Sequence, residues 1–149
     1  MFDKYYEEIN VGEEWDSKGR TITETDIVNF AGVSGDFYPL HMDREYAKNT
    51  PFGKPIAHGM LVLSVATGLM NLTPGIIAAF YGMDKIRFVR PTFIGDTIKV
   101  RMKASDKQER NNGTGVIACK TEIINQNGDT VIAGTLRMLV NRVPVGAEV

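Results

Sequence analysis

The chain has 149 residues, 43% hydrophobic and 23% charged, and a formal net charge of −1. That is enough for one real core and gives no global field toward nucleic acid or an anionic membrane. The single cysteine, Cys119, excludes an internal disulfide framework and fits a reducing compartment. Its setting in a strand-like run reads as a small core side chain rather than a nucleophile.

The acidic start, MFDKYYEEINVGEEW, carries no apolar leader, so a cytoplasmic location is expected. Glu14 to Ile22 has room for a short strand. Thr23 and Asp26 have capping-box spacing, and Ile27, Val28, Phe30, Ala31 and Val33 follow at helical spacing, which predicts a helix over 24–33. The segment Ser34 to His41 does not continue it, because Gly35 loosens the chain and Pro39 disfavours helical geometry at Tyr38. Asp43 caps a short helix over 44–48, and the two prolines and the glycine of 49–55 mark a loop.

Ile56 to Leu72 contains no Asp, Glu, Lys or Arg. It reads as one helix from near His58-Gly59 to near Asn71, apolar all round and therefore buried on all sides. A membrane span needs about 20 apolar residues, more than this run supplies. The remainder reads as strands: Ile76 to Arg90 as one long run or two with a kink at Gly82, then Asp96 to Ala104, Gly115 to Ile124 and Thr130 to Val143. In the second of these Ile98, Val100 and Met102 share one face and Lys99, Arg101 and Lys103 the other. Asn111-Asn112-Gly113 and Asn127-Gly128-Asp129 mark hairpins, and the tail is expected to fray. The layout is α+β, helices followed by three or four antiparallel strands joined by tight turns, and residues 1–149 read as a single domain.

The only two histidines, His41 and His58, flank one loop, and Asp36 lies just before His41 with Pro39 between them. An acid and an imidazole brought together by that bend can hold a water and move its protons near neutral pH. A turn-forming Asp and a hydrogen-bonded His account for the same residues, and spacing alone favours this plainer account. Gly59 at a helix start offers a free N–H with no Cβ beside it, suited to an oxyanion or simply to close packing. Thr67 lies two turns on, where a helical threonine ordinarily bonds its own backbone. Lys99, Arg101 and Lys103 read as a solvated strand face; alternatively they, or Lys85, Arg87 and Arg90, meet the phosphates of a ligand. Two histidines and one cysteine are too few for a metal site, so no metal is expected.

Ser34-Gly35-Asp36-Phe37-Tyr38-Pro39-Leu40-His41, followed by Ala57-His58-Gly59-Met60, resembles the signature of the MaoC-like dehydratases, the (R)-specific enoyl-CoA hydratases. Ile86 to Pro91 and Ile94 to Ile98 resemble that family's strand–turn–strand, so the resemblance covers nearly the whole chain. It implies a hotdog fold, a long central helix wrapped by a curved antiparallel β-sheet. It implies a hydro-lyase that reversibly adds water to a trans-2-enoyl-CoA to give a (3R)-hydroxyacyl-CoA. Coenzyme A is then part of the substrate, and no separate cofactor is expected. By position, Asp36 and His41 become the catalytic pair and Gly59 the oxyanion-hole donor, with Tyr38, His58, Thr67, Arg87 and Arg90 assigned to the substrate.

One departure is Tyr38, where the family usually has Asn; the larger ring reshapes the acyl pocket. The rival readings are a hotdog acyl-CoA thioesterase and a non-catalytic acyl-CoA-binding domain. The first would typically put an acid on the central helix, which has none, and the second would not need both Asp36 and His41. The resemblance also implies a homodimer or a dimer-based higher oligomer.

Overall fold

The computed structural model describes residues 1–146; the last three residues of the tail expected to fray lie outside them. A 3-10 turn at Tyr6–Glu8 and two short strands, β1 (Glu14–Asp16) and β2 (Arg20–Thr21), precede helix α1 (Glu24–Ser34). Then come α2 (Pro39–Met42), α3 (Arg44–Lys48) and α4 (Gly59–Leu69), followed by β3 (Ile77–Phe88), β4 (Thr97–Glu109), β5 (Thr114–Ile124) and β6 (Thr130–Asn141). Both predicted caps are present. Thr23 and Asp26 exchange side-chain and backbone hydrogen bonds at the start of α1, and Asp43 Oδ1 accepts from Tyr46 N–H at 3.0 Å to cap α3.

The sheet is antiparallel, in the order β1-β4-β5-β6-β3, with β2 also paired to β4. Six strands form rather than three or four, because the short β1 and β2 dock on β4. β4-β5 and β5-β6 are the two expected hairpins, closed by Gly113 and Gly128 at positive φ. β3 and β4 are not hairpin neighbours: their connection crosses to the far side of the sheet and leaves β3 as a long edge paired only to β6. Adjacency in the chain does not guarantee adjacency in a sheet, and here two strands, β5 and β6, separate the two.

Ile98, Val100 and Met102 are fully buried and Lys99, Arg101 and Lys103 exposed, as the alternation predicts. The inner face packs on Leu61, Val62, Leu63 and Ala66 of α4 to make one core, the hotdog arrangement. The helix is not buried on all sides. Met60, Ser64 and Gly68, one stripe at i, i+4, i+8, stay exposed, because the sheet covers only the opposite flank and the short helices leave this one open. Asn71, at φ 53, sits just past the helix in the left-handed conformation that ends many helices. The kink in β3 falls at Lys85 (φ 52) rather than at Gly82 alone, with register shifts on both sides of the strand's centre. Cys119 is buried, and its thiol is pushed up to about 12 by burial, so it is no nucleophile. Among the described residues, no helix is long and apolar enough to cross a membrane.

Candidate active site

α1 ends on Gly35, at φ 75, whose N–H donates to Ala31 O at 2.8 Å. That left-handed residue turns the chain sharply and delivers Asp36 at the helix end. The Asp36 N–H donates to Ser34 Oγ at 3.1 Å, and its Oδ1 accepts from Tyr38 N–H at 3.2 Å, a local Asx turn. Tyr38 is extended (ψ 133), as a residue before proline prefers, and Pro39 then opens α2 at its first position. The bend was foreseen but this helix was not. It is α2 that carries His41.

His41 Nδ1 lies 2.7 Å from Ile56 O. A carbonyl only accepts, so the neutral ring carries its proton on Nδ1 and keeps a lone pair on Nε2. The neighbouring main chain is tied to the same residue, since Ile56 N–H donates to Leu40 O at 3.3 Å. Burial holds the His41 imidazole below its ordinary 6.5, and the neighbouring His58 pushes the same way, against the pull of Ile56 O and Asp36. The ring is thereby kept as a free base.

One ligating atom from each of Asp36, His41 and His58 lies within 4.8 Å of the others. The two imidazoles stack, with centroids 4.0 Å apart and planes 29° from parallel. Their in-plane lone pairs therefore run side by side rather than converging, which suits proton handling better than tetrahedral metal binding.

A cleft of about 440 Å³ runs from His41 past Gly59 and Met60 to Phe88, Arg90 and Ile132. It is walled mainly by apolar side chains with a few polar groups, the usual character of a ligand site. Gly59 is the first residue of α4, so its N–H has no partner within the helix. A Cβ there would lie 2.5 Å from two Phe88 ring carbons, so the glycine also satisfies the packing explanation.

The remaining predicted residues separate. Tyr38 is exposed, its ring edge-on to that of His41 with centroids 6.0 Å apart, and its hydroxyl 3.3 Å from that of Tyr46. Arg90 lines the cleft and donates to Thr130 O at 3.3 Å. Arg87, the adjacent alternate of Phe88 on β3, faces a separate groove of about 650 Å³ beside Lys85 and Lys120. That groove is larger but contains no acid–imidazole pair. Thr67 Oγ1 donates to Ser64 O at 2.6 Å, the ordinary behaviour of a helical threonine, and does not line the cleft. His58 is 2% exposed, stacks on His41 and does not line the cleft. Sequence reasoning also missed the Ile56 carbonyl and Phe88; neither has a motif, because one acts through its main chain and the other as a plain apolar wall.

Residues 8–126 match the MaoC like domain family. The chain is 44% identical over 108 residues to Protein MaoC of Klebsiella aerogenes, covering 71% of this chain but only 32%, about a third, of that protein. It is 32% identical over 110 residues to an (R)-specific enoyl-CoA hydratase of Aeromonas caviae, covering 73% of this chain and 79% of that one. A solved structure described as a monoamine oxidase regulatory protein, from Archaeoglobus fulgidus, superposes with a TM-score of 0.88 at 44% identity, covering 95% of this chain and 96% of that chain.

Proposed function

This chain belongs to the MaoC-like domain family, and from that premise we propose that it reversibly adds water to a trans-2-enoyl-CoA, giving a (3R)-3-hydroxyacyl-CoA. The observation that carries the reading is the Asp36 carboxylate and the His41 imidazole gathered within 4.8 Å, beside the free end of α4. The name of the Aeromonas relative supports the same reaction class.

In this reading the thioester oxygen accepts from the Gly59 N–H. A water is held by two acceptors, the Asp36 carboxylate and His41 Nε2, and presents its oxygen to C3. One O–H bond breaks and its proton passes to the pair. The oxygen bonds C3 while the C2–C3 π electrons move into an enolate whose charge rests on the thioester oxygen. The pair then returns a proton to C2. An N–H directed at such an oxygen contributes about 2.7–4 kcal/mol in measured oxyanion holes, and the acid–base pair about 10²–10⁴-fold. The helix N-terminus adds a favourable partial charge at that oxygen.

The test is loss of the ultraviolet absorbance of an enoyl-CoA on hydration. Asp36→Asn and His41→Gln should each lower kcat by about 10²-fold or more. A wild-type rate in either variant removes the mechanism. Release of free thiol without hydration would identify a thioesterase instead, and binding without either change an acyl-CoA-binding domain.

The active form is proposed to be a dimer paired through β3. That strand is an edge of 12 residues, with Phe80, Tyr81 and Met83 exposed along it. Long apolar edges of this kind are covered in stable proteins.

A further inference from the structure

His58 stands at the N-cap of α4, where Ser, Thr, Asp or Asn would ordinarily cap the helix, yet its side chain makes no capping bond. Instead its Nε2 lies 2.9 Å from the main-chain oxygen of Asp36. The carbonyl only accepts, so Nε2 carries the proton and donates. Nδ1 is then a buried acceptor with no partner among the described residues. Leaving such an atom unpaired is costly and calls for a reason in the rest of the arrangement.

The reason lies in the loop that His58 holds. Among the described residues, the other hydrogen bonds of 34–38 stay within the first helices: the side-chain bonds Ser34 to Phe30, Asp36 to Ser34, Tyr38 to Asp36 and the Tyr38–Tyr46 hydroxyl pair, and the main-chain bonds Gly35 to Ala31, Phe37 to Gly35 and His41 to Tyr38. The His58 bond alone ties this loop to α4, across 22 positions of sequence. The same ring is packed between two others, His41 at 4.0 Å and Phe30 at 4.9 Å between centroids. One buried side chain therefore touches the main chain of the acid and the ring of the base, and its own peptide leads directly into Gly59.

We propose that His58 is a positioning residue, not a substrate contact: its Nε2–H donation to the Asp36 carbonyl, together with its stack on His41, sets the acid and the base in register with the α4 N-terminus. This rests on the reading of Asp36 and His41 as the catalytic pair. Two substitutions separate the parts. His58→Gln places an amide N–H near the position of Nε2 and so keeps the donation. His58→Phe keeps a ring against His41 and Phe30 and loses the donor.

Three measurements test the proposal. In the wild type, ring nitrogen-15 spectra should show His41 protonated at Nδ1 and His58 at Nε2; a His58 ring protonated at Nδ1 overturns the donation. The chain has only these two histidines, so the spectrum of His58→Phe assigns both. Amide hydrogen exchange over 35–41 should quicken in His58→Phe and stay near wild type in His58→Gln. Equal protection in all three proteins overturns the tie, as does equal loss in both variants. With an enoyl-CoA as substrate, His58→Phe should lose about 10²-fold in kcat, the scale of an ångström's misplacement, with KM nearly unchanged, and His58→Gln should recover most of that loss. A His58→Phe enzyme with wild-type kcat, or a loss confined to KM, overturns the positioning role. Should the wild type hydrate no enoyl-CoA, the proposed reaction fails while the spectra and exchange still decide what His58 does. If His58→Phe does not fold, the wild-type spectrum and His58→Gln decide.

Discussion

Gly59→Ala is the sharpest probe of the site, because it removes no functional group. The N–H remains, and only a methyl is added. Built on the Gly59 backbone, that carbon lies 2.5 Å from Phe88 Cδ1 and Cε1 and 3.2 Å from Cγ. Carbon atoms rest about 3.5 Å apart at closest, so the ring or the helix start must yield by about 1 Å. Phe88 is 54% exposed and can swing outward. The stability cost should therefore fall at or below the low end of the ~1–3 kcal/mol typical of overpacking. It is partly offset by the ~0.4–1 kcal/mol that Gly→Ala gains through the unfolded chain. The chemistry has no such relief, because the displaced Phe88 ring is itself a wall of the cleft beside Gly59 and no longer seats the thioester against that N–H. A misplacement of about 1 Å costs about 10²-fold in rate, or ~2.7 kcal/mol of barrier. The assay is the initial hydration rate of an enoyl-CoA by ultraviolet absorbance, alongside Tm, for Gly59→Ala, Phe88→Ala and the double variant. Gly59→Ala should lose about 10²-fold in kcat with little change in Tm, and the double variant should be no slower than Phe88→Ala alone. A wild-type rate for Gly59→Ala, or losses that simply add in the double variant, would refute the reasoning.

Two further outcomes follow from the same geometry. His41 has its folded pKa lowered below the ordinary 6.5 by burial, so the unfolded chain binds that proton more readily. Its contribution to stability is whole above the ordinary pKa and is lost as pH falls through the folded one. His41→Gln should flatten the acid-side fall of Tm, and wild-type kcat/KM should drop on the acid side with an inflection below 6.5; an inflection above it, or an unchanged Tm slope, contradicts the assignment. Met83→Lys, with or without Tyr81→Lys, should shift the protein from dimer to monomer in light scattering, since buried Lys at an edge opposes pairing. A wild-type protein that is already monomeric at assay concentration would refute the pairing.

Much of the fold was legible because it rests on local chemistry. The Thr23–Asp26 and Asp43 caps, the Ile98–Val100–Met102 alternation and the two glycine hairpins all express rules that act within a few residues. What was not legible depends on distant partners. The exposed stripe of α4 could not be foreseen, because the helix is apolar all round and only the position of the sheet decides which flank stays open. The crossing from β3 to β4 was hidden because its Pro91–Gly95 turn looks like any other turn. At the site, the motif marked Asp36, His41 and Gly59, which do gather. Arg87 and Thr67 fall outside the cleft because strand alternation and a helix's own backbone govern where those side chains go. His58 was marked for the substrate by the motif, and its burial, which depends on the distant Phe30 and His41 rings, places it outside the cleft lining.

The placement of these groups reduces to four consecutive residues. Ile56 O orients the His41 ring, Ala57 N–H donates to Thr92 O at 2.8 Å and ties the segment to the chain beyond β3, His58 holds the Asp36 main chain, and Gly59 opens α4. Acid, base and helix terminus come from three different elements, and each alone is free to drift with its own loop. Bonded to one short peptide, they share a common frame. That explains why the stretch tolerates an N-cap residue that does not cap and a glycine pressed against an aromatic ring. Both are locally unfavourable choices, and both become reasonable once the segment's task is to carry the site rather than to stabilise its helix.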